Sequence, residues 1–389
     1  MIFLYHMYIA CSMSSLQKTD NNTTQDTSDN NSEFPVSEEE NNWDGCRANS
    51  READRERLLF YSTPYNEDIS HSDLWNVHRI SQAGSISESF DQLSLGRNIQ
   101  GEVYFTPDSS WAAIITDNGS ISTFSISTDN DIQMIVQQEI LDIYISSIVI
   151  HPSGEYFYAL DPNWPENGGG IYRIDIDCST GELNSPSLIY TTKNVAELVF
   201  FGDGILVAAR QLEDHIGYVY YISDDGEISS FDPFDGDENV ILTDLVVNSS
   251  GNIFVSENAE FSGVPNRVAI LNLQDGDFSL INLHEILDPV QLIASPYSNH
   301  IAVLSGYGNA VYSMNEEDFE LVSYITTAPQ LPTSAAQIEQ GSLKGHFFIT
   351  ENQGVRTMKF VEEGGIEDLG MGVHTTGLSG ITGGIGITP

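Results

Sequence analysis

The chain has 389 residues, of which 40 % are hydrophobic and 10 % aromatic, so it can bury a large core. It carries 57 acidic and 14 basic residues, a formal charge of −43. Such a surface repels phosphate backbones and anionic lipid headgroups, which clustered Lys and Arg normally bind. The composition therefore excludes nucleic acid as an expected partner. It favours a well-hydrated protein in salty or extracytoplasmic surroundings.

The first residues, "MIFLYHMYIAC", are apolar and end at Cys11. They resemble the end of a bacterial lipoprotein signal, which would make Cys11 the lipidated residue. A fortuitously apolar N-terminus of a cytoplasmic protein is the alternative. Residues 12–56 are polar and acidic, and we expect a disordered tether there. The spacing of Cys11, Cys46 and Cys178 excludes a zinc site built on cysteine.

A short apolar segment that ends in a Pro or Gly turn recurs at intervals of about 45 residues. It is "EVYFTPDSS" from 102, "SIVIHPSG" from 147, "ELVFFGDG" from 197, "DLVVNSSG" from 244, "QLIASPYS" from 291 and, more weakly, "QIEQGSLKG" from 337. Each is followed by two further apolar strands, a tight turn such as "DDGEI", and a more polar fourth strand. Four strands in such a repeat predict one blade of a β-propeller.

The two ends of the repeat region complete one another. Residues 57–95 supply the second, third and fourth strands of a blade, and the terminal "GGIGITP" supplies a first strand with nothing after it. Together they make a seventh blade, which closes the ring and removes exposed sheet edges. The sequence therefore predicts an all-β, seven-bladed β-propeller of four-stranded antiparallel blades over residues 57–389, with the N- and C-terminal strands sharing one blade.

The repeats also carry a family resemblance. The stretches "FTPDSSWAAIITDNGSISTFSI" and "IHPSGEYFYALDPN", followed by "GGGIYRIDIDCSTGEL", are similar to the repeats of bacterial seven-bladed lactonase-type and YVTN-repeat propellers. The resemblance spans residues 57–389 and is specific for the fold. It implies that the chain is either a lactonase, such as a 6-phosphogluconolactonase, or one of the many members that have no established activity.

Polar residues begin the predicted inner strands, which line the central channel. Aligned at their turns, these residues are Glu102, Ser147, Glu197, Asp244, Gln291, Gln337 and Gly384. Oxygen ligands at a common depth suit Ca²⁺, so Glu102, Glu197 and Asp244 are candidate metal ligands. A bound cation would polarise a lactone carbonyl and acidify a water. The alternative interpretation is that strand starts at a channel mouth are polar because they are wet.

The loops between second and third strands open on the same face as these strand starts. They are long in three consecutive blades: "DPNWPENGGG" from 161, "QLEDHIG" from 211 and "NAEFSGVPN" from 258. We expect them to wall a cleft around half of the channel mouth. Its candidate ligand-binding residues are Trp164, Arg210, Asp214, Glu260 and Phe261.

Among the histidines, His215 is the best candidate for a general base, because neighbouring acids would raise its basicity. Glu197 is its predicted catalytic partner, and His71 is a weaker second candidate for the base. An ordinary exposed loop histidine is the alternative for His215. Arg210 could meet an anionic substrate or pair with Glu213 or Asp214. His151 lies in a turn on the opposite face, where a structural role is expected.

Two functions remain open at this point. The first is a monomeric extracytoplasmic binding scaffold for a small molecule, glycan or protein, held to a membrane only through a lipid anchor. The second is a lactonase-like hydrolase acting on a sugar lactone, with Ca²⁺ as a possible cofactor. No G-x-S-x-G, H-E-x-x-H or phosphate-loop pattern favours another chemistry.

Overall fold

Every strand of the protein belongs to one of seven four-stranded antiparallel sheets. The computed structural model describes residues 56–63, 72–98, 103–106, 111–115, 120–127, 131–140, 143, 145–161, 169–177, 180–210, 216–223, 225–236, 241–258, 266–306, 309–324, 334–351, 354–374 and 384–388. The predicted signal remnant, residues 1–11, and all but the last residue of the predicted tether, residues 12–56, lie outside these ranges. Within them, no helix has the length and apolar character needed to cross a bilayer.

We number the blades one to six in chain order from residue 103 and call the seventh the split blade. Each set of strands below begins with the strand of the split blade and continues with those of blades one to six. The inner strands are β28 (Ile385–Ile387), β4 (Val103–Phe105), β8 (Ser147–Ile150), β12 (Lys193–Phe201), β16 (Ile241–Val247), β20 (Pro289–Ala294) and β24 (Ala335–Gln337). The second strands are β1 (Arg57–Thr63), β5 (Trp111–Ile115), β9 (Tyr156–Asp161), β13 (Gly204–Arg210), β17 (Ile253–Asn258), β21 (Ile301–Ser305) and β25 (His346–Glu351).

The third strands are β2 (Ser72–Ile80), β6 (Ser120–Ile126), β10 (Gly170–Asp175), β14 (Gly217–Ser223), β18 (Arg267–Gln274), β22 (Ala310–Met314) and β26 (Gly354–Phe360). The outer strands are β3 (Ile86–Asn98), β7 (Ile132–Glu139), β11 (Ser187–Thr191), β15 (Ile228–Phe231), β19 (Asp277–Glu285), β23 (Phe319–Tyr324) and β27 (Ile366–His374). Each blade therefore has the strand order that the repeat predicts.

Strands from both ends of the described region build the split blade, in the order β28-β1-β2-β3. In this sheet Leu59 pairs with Ile387 and Tyr61 with Ile385. The Thr388 hydroxyl accepts a hydrogen bond from the Leu58 N–H at 2.8 Å. Strand β28 also packs against the inner strands of blade six and blade one, so the ring is closed as predicted.

Apolar residues fill each junction between neighbouring blades, and seven separate clusters result. Strand β5 shows why its sequence, "WAAII", is apolar throughout. Trp111 and Ala113 pack toward blade two, whereas Ile114 packs toward the split blade. Because successive side chains of a strand point to opposite faces and both faces are buried, no polar residue alternates with the apolar ones.

A glycine permits the close approach of the split blade to blade one. A Cβ atom on Gly386 would lie 2.5 Å from the Val103 Cβ and 2.7 Å from the Val103 carbonyl oxygen. No side chain fits at that distance, which accounts for the Ile-Gly-Ile pattern of the last strand.

The outer strands are irregular, since the pairing between third and outer strand shifts register in six blades of the described structure. A β-bulge of this kind bends the strand and interrupts its ladder of hydrogen bonds. The exposed edge of each blade is thereby a poor template for another strand.

Candidate functional site

The start of each inner strand lies at the same end of its blade as the loop between the second and third strands. The residues that begin the inner strands therefore border the predicted channel mouth. Four inner strands begin earlier than predicted: β12 at Lys193, β16 at Ile241, β20 at Pro289 and β24 at Ala335. The first three have a register irregularity immediately before the predicted residue, which is Glu197, Asp244 or Gln291. Pairing with the second strand extends these three strands past the irregularity.

Asp244 joins blade four to blade five. One carboxylate oxygen accepts a hydrogen bond from the Leu245 N–H at 2.7 Å, and the other accepts one from the Leu292 N–H of strand β20 at 2.6 Å. Asp244 is buried, with 8 % of its surface exposed. Because β20 is the edge strand of its sheet, the N–H groups that point away from the sheet have no acceptor within blade five. The Asp244 carboxylate of blade four provides an acceptor for one of them, the Leu292 N–H.

Gln291 occupies the equivalent place in blade five and makes the equivalent connection to blade six. Its side-chain oxygen accepts a hydrogen bond from the Ala335 N–H at 2.7 Å, and its Nε2 donates to the Ala335 carbonyl at 3.2 Å. Gln337 in turn donates from Nε2 to the Ala294 carbonyl at 2.9 Å. Both carboxamides therefore connect inner strands of blades five and six.

Glu197 and Ser147 are half-buried members of the same set. The Glu197 carboxylate accepts a hydrogen bond from the Leu198 N–H at 2.9 Å. The Ser147 hydroxyl is 3.2 Å from the Tyr104 hydroxyl of blade one. Four of these side chains, those of Ser147, Asp244, Gln291 and Gln337, thus connect neighbouring inner strands, whereas the Glu197 carboxylate accepts from its own strand.

The calcium hypothesis requires Glu102, Glu197 and Asp244 to converge. Glu102 lies outside the described residues, so the set of three is not complete in the structure. Among the described residues, no group of three His, Cys, Asp or Glu side chains is arranged to hold a metal ion. The metal site stays a prediction, and the two hydrogen bonds to Asp244 give that residue a structural role with or without a metal.

The cleft walls themselves, with Trp164, Asp214, His215, Glu260 and Phe261, fall outside the described residues, as does His71. The strand ends from which these loops leave are described, and they are charged. Asp161 ends β9 with 2 % of its surface exposed, Arg210 ends β13 half-buried, and Glu257 lies one residue before the end of β17 with none of its surface exposed. Burial lowers the pKa of Arg210.

Glu257 forms an ion pair with Arg267, at the start of the next strand of the same blade. The Arg267 guanidinium also lies over the Phe234 ring, 5.1 Å from its centroid. A carboxylate this deeply buried requires a paired cation, because desolvation otherwise strongly disfavours its charge. The base of the third long loop is therefore a fixed pair of charges.

Blade six repeats the arrangement. Arg356 forms ion pairs with Glu351, at the end of β25, and with Asp368 of β27 at 2.7 Å. The Ser323 hydroxyl of blade five donates to the same Asp368 oxygen at 2.5 Å. Burial alone would raise the pKa of Asp368, but hydrogen bonds from Ser323 and the Gly370 N–H and the charge of Arg356 lower it.

Apart from Arg210, these charges at strand ends are not among the residues that the sequence predicts for the site, although a signal for them exists. Each is the one charged residue near the end of an otherwise apolar second strand, as in "YFYALD", "IFVSEN" and "HFFITE". For Arg210 the prediction rests on its position beside a long loop. A residue of that kind buried at a strand end calls for a partner across the sheet.

His151 has the neighbours of a structural residue. Its ring stacks on Tyr156 at a centroid distance of 4.1 Å, and its Nδ1 lies 2.8 Å from the Ser153 hydroxyl. Phe200 of the next blade contacts the ring edge-on at 5.0 Å.

Comparisons with known proteins relate the chain to others by fold. No protein-family model matches it, and no curated protein matches it significantly. A periplasmic gluconolactonase from Pseudomonas aeruginosa has a similar structure, with a TM-score of 0.63 and 14 % identity over 86 % of this chain and 99 % of that one. A putative 6-phosphogluconolactonase from Bacteroides fragilis gives a TM-score of 0.60 and 12 % identity over 88 % and 100 % of the two chains.

A third similar structure is AztD from Citrobacter koseri, with a TM-score of 0.54 and 8 % identity over 85 % of this chain and 97 % of that one. Identities this low establish the fold alone. The protein is a seven-bladed β-propeller whose structural neighbours include lactonase-like propellers. Its place among YVTN-repeat proteins stays a prediction.

Proposed function

We propose that this protein is an extracytoplasmic binding scaffold, whose ligand lies on the face that carries the loops between second and third strands. The observation that carries the proposal is the placement of Asp161, Arg210 and Glu257. These buried or half-buried charges stand at the bases of the three long loops, in three consecutive blades.

Glu257 is neutralised by Arg267, whereas Asp161 and Arg210 place charges of opposite sign at the bases of neighbouring loops. This arrangement suits a polar ligand with several hydrogen-bonding groups. Trp164 and Phe261 in the loops above would supply aromatic contact area, which dominates recognition in most binding sites. The ligand class is a small molecule, a glycan or a protein segment.

The strand starts support binding over catalysis. A general acid or base must exchange a proton with its substrate, which requires a carboxylate that reaches the reacting atoms. Asp244 instead directs one oxygen to the Leu245 N–H and the other to the Leu292 N–H. Both oxygens of this carboxylate therefore stabilise the contact between two inner strands.

A lactonase-like hydrolase is the second candidate, favoured by two structural neighbours that are described as gluconolactonases. In that case His215 would act as general base, with Glu197 beside it and Ca²⁺ held by Glu102, Glu197 and Asp244. Such an ion would polarise the lactone carbonyl.

One experiment separates the two candidates. The melting temperature of the full chain is measured with EDTA and with Ca²⁺ at constant high ionic strength, since the excess negative charge alone responds to salt. A Ca²⁺-specific rise that Glu197→Gln abolishes, together with lactone hydrolysis that His215→Ala abolishes, would favour the hydrolase. No rise and no turnover, with ligand binding lost in Trp164→Ala and Phe261→Ala, is the result expected for the scaffold. His300→Asn, in a turn at the opposite end of a blade, is the control.

The proposed location rests on the acidic composition and on the apolar segment before Cys11. We expect a lipid-anchored monomer outside the cytoplasm. Metabolic labelling with a radioactive fatty acid should mark the full chain but not Cys11→Ala, and light scattering should give the mass of one chain.

A further inference from the structure

A second cavity lies far from the mouth just described, between blade six and the split blade. It measures about 290 Å³ and is lined by Ala83, Gly84, Ser85, Ile86, His346, Thr357, Leu369, Gly370 and Gly372. We call it the blade-six groove. The turn joining β2 to β3 forms one wall, and strands β25, β26 and β27 form the other. Among the described residues that line it, none is an acid, a lysine or an arginine.

Glycines create the space. Gly84 has a φ of +81°, which favours glycine, and a Cβ atom there would point at His346, 3.6 Å from Nε2. A Cβ on Gly372 would lie 2.6 Å from Ile86 Cδ1 and 2.7 Å from Thr357 Oγ1. A side chain at either position would fill the groove or close it.

His346 presents one ring nitrogen to this space. The residue is 8 % exposed, and its Nδ1 lies 2.9 Å from the Leu343 carbonyl oxygen. Because a carbonyl can only accept, Nδ1 carries the proton, and a neutral ring then has a lone pair on Nε2. The Lys344 carbonyl also contributes a hydrogen bond to the ring, and Nε2 lies on the side of the groove, 3.6 Å from the position that a Cβ on Gly84 would take.

The surroundings of His346 favour the neutral ring. Burial lowers the pKa of His346, the Leu343 carbonyl opposes that effect, and Lys359 on the neighbouring strand lowers the pKa further. At neutral pH the groove therefore contains a buried acceptor.

Two hydroxyl groups stand near this acceptor. Thr357, which is 6 % exposed, has an Oγ1 that makes no hydrogen bond within the described part of the chain. Ser85 lies exposed at the rim. The rest of the lining is apolar surface from Ala83, Ile86 and Leu369 together with the polar backbone of three glycines.

We propose that the blade-six groove binds a small, uncharged, hydroxylated molecule of monosaccharide size, one hydroxyl of which donates a hydrogen bond to His346 Nε2. Thr357 Oγ1 accepts or donates a second bond, and the apolar lining covers the C–H face of the ligand. A pocket that combines apolar surface with a few convergent polar groups is the usual form of a small-molecule site.

The lack of charge in the lining determines the ligand class. A bound anion or cation would be taken out of water without a counter-charge, which costs far more than burying hydroxyls that find partners. The net charge of −43 disfavours anions further. The groove lies at the start of β25, whereas the proposed mouth lies at the end of the second strands, so the two proposals are independent.

The test uses the full chain with ¹⁵N-labelled histidine. It is titrated with glucose, galactose and xylitol, and separately with gluconate, which has the glucose carbon skeleton and a charge. We expect a saturable shift of the His346 Nε2 resonance with at least one neutral probe and none with gluconate. Signal loss in His346→Asn assigns the resonance.

Two variants test the contacts. His346→Asn keeps a donor near Leu343 and removes Nε2, and Thr357→Val keeps the shape and removes the hydroxyl. Each should weaken binding of the neutral probe roughly three- to tenfold, as expected for one lost hydrogen bond. His300→Asn is the control, since His300 contacts Ser298 and Asn315 of blade five and not the groove.

Three results would overturn the proposal. The first is no shift with any neutral probe, which would leave the groove to water. The second is an equal shift with gluconate, and the third is unchanged binding by both variants. If His346→Asn does not fold, the titration of the wild type and of Thr357→Val tests the proposal without it.

Discussion

The Asp244 carboxylate accepts a hydrogen bond from the main-chain N–H of Leu292, 48 residues later and one blade further round the ring. The bond joins two inner strands that belong to different sheets. Removing its acceptor would leave a buried N–H without a partner, and such a group costs about 1–3 kcal/mol.

Asp244→Asn should therefore lower the free energy of unfolding by about 1–3 kcal/mol. The oxygen of an Asn side chain accepts hydrogen bonds but its nitrogen only donates them, so one of the two main-chain N–H groups loses its acceptor. Chemical denaturation without metal measures this change. Asp277→Asn removes the same charge from an exposed position at the start of β19 and should change stability little. If Asp244→Asn is destabilising only when Ca²⁺ is present, Asp244 is a metal ligand and not a structural acceptor.

Ile387 tests the closure of the ring. It is 5 % exposed, pairs with Leu59 and packs between the split blade and blade six. Ile387→Ala should lower the free energy of unfolding by about 2–5 kcal/mol through lost burial and a cavity. Ile241→Ala, at a position that is 40 % exposed, is the matched control. Equal small effects of the two changes would argue against a closed ring.

The Arg356 ion pairs make an asymmetric prediction. Arg356→Met alone leaves Glu351 buried without a cation and should cost about 3–5 kcal/mol. Arg356→Met combined with Glu351→Leu removes the buried pair and should recover much of that loss, because an apolar pair needs no desolvation. Asp368 then loses the Arg356 charge but keeps its hydrogen bonds from Ser323 and the Gly370 N–H. A double-variant cycle by chemical denaturation measures the coupling. Additive losses would show that the two side chains do not act as a pair.

His78 predicts a dependence of stability on pH. Burial lowers the pKa of His78 from 6.5, against the opposing effect of its hydrogen bond to the Ser87 carbonyl. The unfolded chain then binds the proton more readily than the folded one. Stability is fully present above pH 6.5 and is lost as the pH falls from there through the lower folded pKa.

His78→Gln should consequently show a shallower loss of stability than the wild type below pH 6.5. The two proteins are compared at one ionic strength. Protonation of the surface carboxylates then changes the free energy of unfolding of both by the same amount, and the difference between them reports on His78. Parallel pH profiles would contradict the prediction.

The fold could be predicted from the sequence because its evidence is periodic. Turns such as the one at His151 mark each repeat, and the Ile-Gly-Ile strand ending at Ile387 has the pattern of the other inner strands. Continuous apolar runs such as "WAAII" indicate burial on both faces. None of these signals depends on the distance between blades.

The candidate site could be predicted only in part. The position of Asp244 follows from the alignment of turns, whereas its bond to Leu292 depends on how closely two blades approach. Glu257 ends an apolar strand, so its charge is visible in the sequence, but its partner Arg267 lies beyond a loop of variable length. The blade-six groove depends on glycines whose φ angles the sequence does not give.

The pairing of β1 with β28 also determines when the ring can form. The Leu58 N–H finds its partner, Thr388, 330 residues further along the chain. During synthesis β1, β2 and β3 leave the ribosome without their inner strand, and the edge of β1 stays open until β28 has been made. Contacts of such sequence separation slow folding. During that interval the edge of β1 is open to pairing with other strands, and β28 covers it once the ring closes.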